Sequence, residues 1–226
     1  MDKMIKGMLC AGFMFLGMAA PVFADLISRL NGQAVYDTDL DITWLADPNA
    51  AAGSIFDDKS FSTALGSTTD GLLTWGNARR WTKSLTVGGV SDWRLPTTDP
   101  GCGEFKLCTR GELGHLFTEV GGTGNNSPLS SGDPDLALFS FKPDLGPAFF
   151  WTATDINEVG VSIPGNPFAW TYNFVNGQQV FVPKRHAWHA WAVRSGDIGK
   201  GHISAPATIL LVMGGLLLLP AFRHRQ

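Results

Sequence analysis

The sequence predicts a single α+β domain that lies between two hydrophobic ends. Three observations support this prediction: apolar residues at helical spacing after Thr74, an extended stretch at residues 88–97, and several β-type runs after Phe149. Apolar residues spaced three to four apart are typical of a helix, whereas alternation indicates a strand. A chain of 226 residues, 44% of them hydrophobic, is long enough to bury one full core.

Residues 1–24 have the features of a secretory signal peptide. Two lysines precede an apolar run at residues 7–20, and the small-residue sequence V-F-A follows at residues 22–24. This order of a basic start, an apolar middle and a small-residue site is typical of exported proteins. We therefore expect export and cleavage between Ala24 and Asp25, which leaves a domain over residues 25–198.

Residues 199–226 are predicted to be a membrane-inserted tail. The uncharged segment 203–222 would span about 30 Å as a helix, the thickness of a hydrocarbon core. The basic cluster at residues 223–225 would lie on the cytoplasmic side. Over residues 204–226 the tail resembles the bacterial PEP-CTERM sorting signal, with Ser-Ala-Pro in place of Pro-Glu-Pro. That resemblance implies a processing enzyme as a partner.

Composition and motifs argue against several function classes. Only 16% of the residues are charged, the formal net charge is −3, and no basic stripe is present, so nucleic acid is not an expected partner. The sequence has no serine nucleophile elbow, no H-E-x-x-H motif and no phosphate-binding glycine loop. We expect no catalytic residues of these kinds.

The domain opens with short strands and a run of alternating aspartates. Residues 26–30 and 33–36 are predicted strands joined by a turn at Gly32, and residues 42–45 resume a strand. Between them the sequence D-T-D-L-D has a spacing seen in calcium sites, but an EF-hand would need Gly at position 42 and Glu at position 48. Alternating aspartates in a turn more often accept hydrogen bonds from local backbone amides. We expect no cofactor, with calcium at residues 37–41 as the alternative.

Two helices are predicted. The first is capped by Thr74 and ends at Gly88 and Gly89, and its apolar residues are at helical spacing. Its tryptophan stripe matches a buried face better than a sugar-binding one. The second starts at Thr109, where Glu112 completes a T-x-x-E capping box. The residues expected on the buried faces are Trp75, Ala78, Trp81 and Leu85 in the first helix and Leu113, Leu116 and Phe117 in the second.

The stretch S-D-W-R-L-P-T lies between these helices. Because Pro96 restricts the residue before it to extended geometry, side chains in this stretch alternate between two faces. Trp93 and Leu95 are predicted to enter the core, while Asp92 and Arg94 tie neighbouring loops through charge-assisted hydrogen bonds. The alternative is that the charged pair contacts a ligand.

Cys102 and Cys108 are the two cysteines of the predicted mature domain. In an exported protein they are expected to form a disulfide, since the compartment is oxidising. They lie in a loop at residues 98–108, and two further loops are predicted at residues 50–70 and 121–135. These three loops are rich in small and polar residues.

The C-terminal half is predicted to be β. Strands are expected at residues 149–154, 169–174, 178–182 and 187–194, with Asn176 and Gly177 as a hairpin turn. His186 and His189 are three residues apart, which on a strand places them on opposite faces. We therefore expect no metal site at this pair of histidines.

Four segments together resemble a known family. They are residues 75–97 with the S-D-W-R-L-P-T string, 150–154 with F-W-T-A-T, 169–177, and 190–194. They are similar to the C-terminal domain of Lcl-type bacterial collagen-like adhesins. The resemblance implies a C-type-lectin-like fold, close to the formylglycine-generating-enzyme variant, with two helices flanking a small twisted antiparallel sheet and long loops. It also implies an exported, surface-associated protein, and it supplies no catalytic residues.

Three functions are compatible with these features. The first is non-catalytic binding of a polysaccharide or another matrix polymer by a membrane-tethered domain in the bacterial envelope. The second is a structural envelope protein without a specific ligand. The third is an oxidase of the formylglycine-generating type that uses Cys102 and Cys108. Calcium-dependent lectins use Glu-Pro-Asn or Gln-Pro-Asp with Trp-Asn-Asp, and none of these strings occurs. We expect the first function, without calcium dependence.

Overall fold

The computed structural model describes residues 25–57, 70–124, 129, 133–140, 149–156, 163–165 and 167–199. The predicted signal peptide and the apolar part of the predicted tail lie outside the described residues. Within the described ranges, no helix is long and apolar enough to cross a membrane.

The described chain is an α+β domain, as predicted. Two helices, α1 (Trp75–Ser84) and α2 (Gly111–Glu119), are accompanied by short 3-10 turns at Leu30–Gly32, Pro100–Cys102 and Leu136–Leu138. The strands are β1 (Leu26–Arg29), β2 (Ala34–Asp37), β3 (Ile42–Leu45), β4 (Leu72–Thr74), β5 (Phe149–Asp155), β6 (Phe168–Asn173), β7 (Gln178–Pro183), β8 (Ala187–His189) and β9 (Val193–Ser195).

The strands form two sheets. The first has the order β1-β2-β3-β9 and is antiparallel throughout. The second has the order β4-β8-β5-β6-β7 and is antiparallel except for the parallel pair β5 and β8. The predicted strands at residues 26–30, 33–36 and 42–45 and the hairpin at Asn176 and Gly177 are confirmed.

Helix α1 begins as predicted but ends earlier. The Thr74 side chain accepts a hydrogen bond from the Asn77 amide, and Trp75, Ala78 and Trp81 of the predicted buried face are buried, whereas Leu85 is half-buried. The helix stops at Ser84, and Leu85 is already extended. The expected end at Gly88 and Gly89 is therefore wrong. These two glycines, with φ of 57° and 79°, form a tight turn, because Val87 and Val90 exchange two backbone hydrogen bonds across them.

Helix α2 starts at Gly111, and the predicted Thr109–Glu112 capping box is wrong. The Glu112 carboxylate instead accepts hydrogen bonds from both terminal nitrogens of Arg94, at 2.8 and 2.6 Å, and from the Thr97 amide at 2.7 Å. A paired guanidinium attracts the carboxylate more strongly than a helix-end amide does. This ion pair ties the segment before α2 to the helix.

The S-D-W-R-L-P-T stretch is buried on the predicted face. Trp93 and Leu95 are each 2% exposed, and the Trp93 indole donates a hydrogen bond to the Val90 carbonyl. Arg94 ties this stretch to a neighbouring element as predicted, because it pairs with Glu112 of α2, whereas Asp92 is not part of that ion pair and is exposed to solvent. Pro96 is buried, and its carbonyl accepts a hydrogen bond from Ala153 of β5.

The last predicted strand, residues 187–194, is two strands in different sheets. Strand β8 pairs with β4 and β5, and after three buried residues β9 pairs with β3. Trp191 lies between β8 and β9, where the chain passes from one sheet to the other, and its indole donates to the Leu45 carbonyl at 2.7 Å. Its ring is 5.3–5.4 Å from the rings of Trp44, Phe139, Phe150 and Phe174. One aromatic side chain thus joins the cores of both sheets.

Candidate functional site

The cysteine-containing loop lies along the outer edge of β7. The Phe105 amide donates to the Gln179 carbonyl at 2.9 Å, and the Cys108 amide donates to the Gly177 carbonyl at 2.8 Å. Between them, Leu107 forms an antiparallel bridge with Gln178. The loop therefore pairs with an edge strand whose backbone groups would otherwise be free to bind another chain.

Two further sets of bonds hold this loop. The structure joins Cys102 to Cys108, with 5.5 Å between their Cα atoms, as the sequence predicts. The Tyr172 hydroxyl donates to the Cys108 carbonyl at 2.8 Å, so that the loop is tied to β6 as well as β7. Burial raises the pKa of Tyr172 well above its usual value, so this hydroxyl stays protonated and able to donate.

A buried glutamine fixes the start of the loop. Gln179 is completely buried, and its amide nitrogen donates to the Asp99 carbonyl at 2.7 Å. Its side-chain oxygen accepts a hydrogen bond from the Thr98 hydroxyl. The Thr98 amide donates to the Thr154 hydroxyl at 3.1 Å, and that hydroxyl donates to the Thr98 carbonyl at 3.3 Å. A satisfied buried network of this kind specifies one arrangement, because any shift leaves polar atoms unpaired.

The loop exposes an apolar tip although its backbone is fixed. Phe105 is 69% exposed and Leu107 is 48% exposed, with the exposed Lys106 between them. Phe105 has φ of 55°, a left-handed conformation that costs a non-glycine residue about 1–2 kcal/mol and persists only where the surroundings enforce it. The fold thus holds an aromatic ring in solvent.

Neighbouring loops meet this tip. A Cβ atom built on Gly124 or Gly177 would lie 2.7 or 2.5 Å from a methyl of Leu107, so both backbones approach that side chain closely. We call the tip and these two neighbours, residues 104–107, 121–124 and 174–177, the loop surface. It brings together the start of the predicted loop 121–135 and the predicted loop 98–108. Residues 125–128 and 130–132 lie outside the described residues.

The described part of the predicted loop 50–70 lies at the β4 edge of the second sheet, opposite β7. Residues 50–57 contact α1, where the Asn77 side chain donates to the Phe56 carbonyl at 3.2 Å, and Asp57 accepts from Gly71 beside β4. Four spacings of about 4.8 Å separate β4 from β7, which places the two edges about 19 Å apart. The described residues 50–57 of this loop are therefore not part of the loop surface.

The tryptophans belong to the core and not to this surface. Seven of the eight are buried, and Trp188 is half-buried. The prediction that the Trp75 and Trp81 stripe packs inward is confirmed. Phe105 was not singled out by the sequence pattern, although a large apolar residue in a short glycine-rich loop between two cysteines is a usable signal.

The alternating aspartates make local hydrogen bonds. One oxygen of Asp37 accepts from the amides of Asp39 and Leu40, both at 3.1 Å, and Asp41 accepts from the Tyr36 hydroxyl at 2.8 Å. In the described part of the chain, no group of three or more His, Cys, Asp or Glu side chains is arranged to hold a metal ion. His186 lies in the turn before β8, and His189, in β8, contacts the Asn49 side chain at 3.1 Å.

The other oxygen of Asp37 faces α2. It lies 3.5 Å from His115 Nε2, which links the first sheet to that helix. The Asp37 carboxylate raises the pKa of His115 above its ordinary 6.5. Burial tends to raise the pKa of Asp37, but His115 and the Leu40 amide outweigh it, and the net pKa lies below 3.8.

The contribution of the Asp37–His115 pair to stability should therefore be highest in mildly acidic solution. The contribution of His115 is complete below pH 6.5 and is lost as the pH rises through its raised folded pKa, while that of Asp37 is lost as the pH falls below 3.8. Urea unfolding of His115→Gln and of the parent, compared from pH 4 to 8, measures this effect. The stability difference should be largest near pH 5–6 and shrink towards pH 8. A difference that does not change with pH would contradict the ion pair.

Comparison of the sequence with known proteins finds no family model that matches the chain and no curated protein that is significantly similar to it.

Proposed function

We propose that this chain is an exported, membrane-tethered domain of a bacterial envelope that binds a polysaccharide or another surface polymer without catalysis. We also propose that its α+β fold is C-type-lectin-like and of the Lcl type. Support comes from the sequence features of the two ends, from the S-D-W-R-L-P-T stretch, and from two helices packed with small antiparallel sheets.

The observation that carries the binding role is the loop surface. Its backbone is fixed by pairing with β7, by the cysteine pair and by the Gln179 network, and yet it exposes Phe105 and Leu107. Exposed apolar side chains grouped together are typical of binding sites. A surface that is already rigid loses little conformational entropy when a ligand binds, so even a small contact area gives measurable affinity.

The chemistry of this surface suits a sugar polymer. Sugar rings present C–H groups on one face, which pack on an aromatic ring such as Phe105, and hydroxyl or carboxylate groups at their edges. Lys106 offers donors to those edge groups, and so does Arg110, which lies outside the loop surface, is mostly exposed and also pairs with Asp99. The area is small, so affinity for one sugar is weak, and retention depends on repeated contacts along the polymer.

Retention of the full chain on immobilised polysaccharides tests this proposal. Phe105→Ala should reduce retention at least tenfold, because the stacking ring is lost, while the melting temperature stays unchanged since the side chain is exposed. Ile55→Ala is the matched control: Ile55 is 94% exposed but belongs to the loop at the opposite edge, so retention should be unaffected. EDTA should not change retention.

Two results would contradict the proposal. If Phe105→Ala binds every retained polymer as well as the parent does, the loop surface is not the site. If no polysaccharide retains the parent chain, a structural role in the envelope is favoured. Calcium-dependent binding of a monosaccharide would indicate a different class of lectin.

A further inference from the structure

The exposed side of helix α1 carries three positive charges and no negative one. Arg79, Arg80 and Lys83 are all exposed, and the helix contains no aspartate or glutamate. In the part of the chain that the structure describes, none of the three forms an ion pair with a carboxylate. The whole chain has a formal net charge of −3, so this concentration of positive charge is local. We call these three residues the basic face of α1.

This arrangement of charges is unfavourable for the helix alone. Lys83 follows Arg79 by four residues and Arg80 by three, so it lies next to both on the helix surface. Like charges at these spacings repel each other, whereas a helix surface that only faces solvent commonly carries charges of both signs. A negatively charged partner outside the helix would remove this repulsion.

Two of the three cations are held in place by their neighbours. The Arg79 guanidinium carbon lies 4.6 Å from the centroid of the Trp75 ring. Arg80 Nη2 donates to Asn77 Oδ1 at 2.6 Å, and Asn77 Nδ2 donates to the Phe56 carbonyl at 3.2 Å. A guanidinium group that is already oriented loses less conformational entropy when it binds an anion. Its planar set of donors matches the oxygens of a phosphate or carboxylate group.

The end of the described chain lies at the same end of the domain as the C-terminus of α1. Gly199 packs so closely on Arg29 that a Cβ atom built on it would overlap the arginine side chain. The next residue, Leu30, packs on the turn after α1, because a Cβ atom on Gly88 would lie 3.0 Å from its methyl groups. Gly88 is four residues beyond the last residue of the helix, Ser84. Contacts therefore connect Gly199 to the helix end that carries the basic face.

Only a short segment separates this end of the domain from the predicted membrane segment. Residues 200–202 lie between Gly199 and the apolar run that begins at Ile203. Even when fully extended, the four steps from Gly199 to Ile203 span at most about 14 Å. A tail that inserts as we propose would therefore keep this end of the domain close to the lipid headgroups. Charge interactions near a membrane surface extend over about 8–10 Å at physiological ionic strength.

We propose that the basic face of α1 binds the anionic phospholipid headgroups of the membrane that holds the tail. The proposal rests on the membrane tethering proposed above and not on the polymer binding. Each Lys or Arg near an anionic membrane surface strengthens the attraction about fivefold. An acidic polysaccharide offers similar anionic groups, but the closeness of the tail favours the membrane. The contact would hold the tethered domain in one orientation on the bilayer.

Chemical modification of Lys83 in the membrane-inserted full chain tests the proposal. The chain is inserted through its tail into nanodiscs of phosphatidylcholine alone and of phosphatidylcholine mixed with phosphatidylglycerol. A neutral amine-reactive reagent is added, and mass spectrometry measures the modification rate of each lysine. Lys83 should react at least about fivefold more slowly in the anionic discs, and high salt should restore its rate. Lys106, which is exposed on the loop surface, is the internal control and should react equally in both discs.

Variants separate the basic face from the net charge of the protein. Arg79→Gln combined with Arg80→Gln should abolish the protection of Lys83 in anionic discs, and Arg80→Gln alone should reduce it about fivefold. Thr118→Glu is the control, because it lowers the net charge by one, as Arg80→Gln does, at an exposed position of α2. It should leave the protection unchanged. The melting temperature of each variant confirms that it is folded, and Arg80→Gln decides the question if the double variant is not.

Several outcomes would overturn the proposal. One is an equal rate for Lys83 in the two kinds of disc, and another is protection that survives in the folded double variant or in Arg80→Gln. A third is alginate that slows the modification of Lys83 in the detergent-solubilised chain while anionic discs do not, which would make the basic face a polymer site. A chain that inserts into neither disc would contradict the proposed tethering. Vesicles with phosphatidylglycerol then test the basic face separately, and an unchanged Lys83 rate would reject headgroup binding as well.

Discussion

Trp93→Ala should lower the free energy of unfolding by about 3–5 kcal/mol, the range for deleting a large buried aromatic side chain. Trp93 is almost completely buried, and its indole donates to the Val90 carbonyl, so the substitution leaves a cavity and an unpaired acceptor. Urea unfolding of residues 25–199 measures the loss.

Two further variants complete this test. Trp188→Ala is the control, because Trp188 is only half-buried, and it should cost clearly less. If Trp93→Ala does not fold, Trp93→Phe should fold with a smaller loss. A Trp93→Ala protein that unfolds like its parent and loses polymer retention would show that the S-D-W-R-L-P-T stretch contacts the ligand.

Truncation after Ser195 should cost about 2–4 kcal/mol relative to a chain that ends at Gly199. Hydrogen bonds contribute about 1 kcal/mol each, and two are lost at Gly196, one with Thr43 and one with Asp41, both at 2.7 Å. The shorter chain also loses the two hydrogen bonds of the ion pair between Arg29 and Asp197, at 2.7 and 3.0 Å, whose side chains are only 21% and 5% exposed. Urea unfolding of the two fragments measures the difference.

Asp197→Asn in the longer fragment measures the contribution of the ion pair separately and should cost about 1–2 kcal/mol. Residues 196–199 cross the first sheet and reach Arg29 of β1. Equal stability of the two fragments would show that this segment adds nothing. Aggregation of the fragment 25–199 would show that the apolar tail belongs to the fold.

Local signals in the sequence were sufficient for most strands and for the start of α1. Thr74 caps its helix through the Asn77 amide, three residues away, and the Asn176–Gly177 turn joins neighbouring strands. Local signals could not predict the hydrogen-bond partner of Glu112, because Arg94 is 18 residues away. Its guanidinium competes with the backbone amide that a local capping box would use. The sequence also did not show that residues 187–194 form two strands in different sheets. A run of residues that are buried on both faces looks the same whether or not the chain changes sheet.

The candidate sites depend on contacts that a sequence pattern does not contain. Phe105 is exposed because Gln179, 80 residues from the Asp99 carbonyl that it binds, fixes the register of the loop on β7. Asp57 is buried and accepts a hydrogen bond from the amide of Gly71, which is 14 residues away. In both places the sequence identified a loop, and only the packing shows which side chain it exposes or buries.

The crossing at Trp191 has a consequence for when the protein can fold. Strand β8 is the sheet partner of β4 among the described residues, β9 closes the first sheet, and the ring between them fills both cores. A chain that is still being synthesised lacks β8, Trp191 and β9 until about residue 195 has emerged. Until then β1, β2 and β3 can form only an incomplete meander with an uncovered apolar face. Such a delay is compatible with the export that we propose, because a chain crosses a membrane in an extended form and the segment that completes both sheets would be among the last to reach the far side.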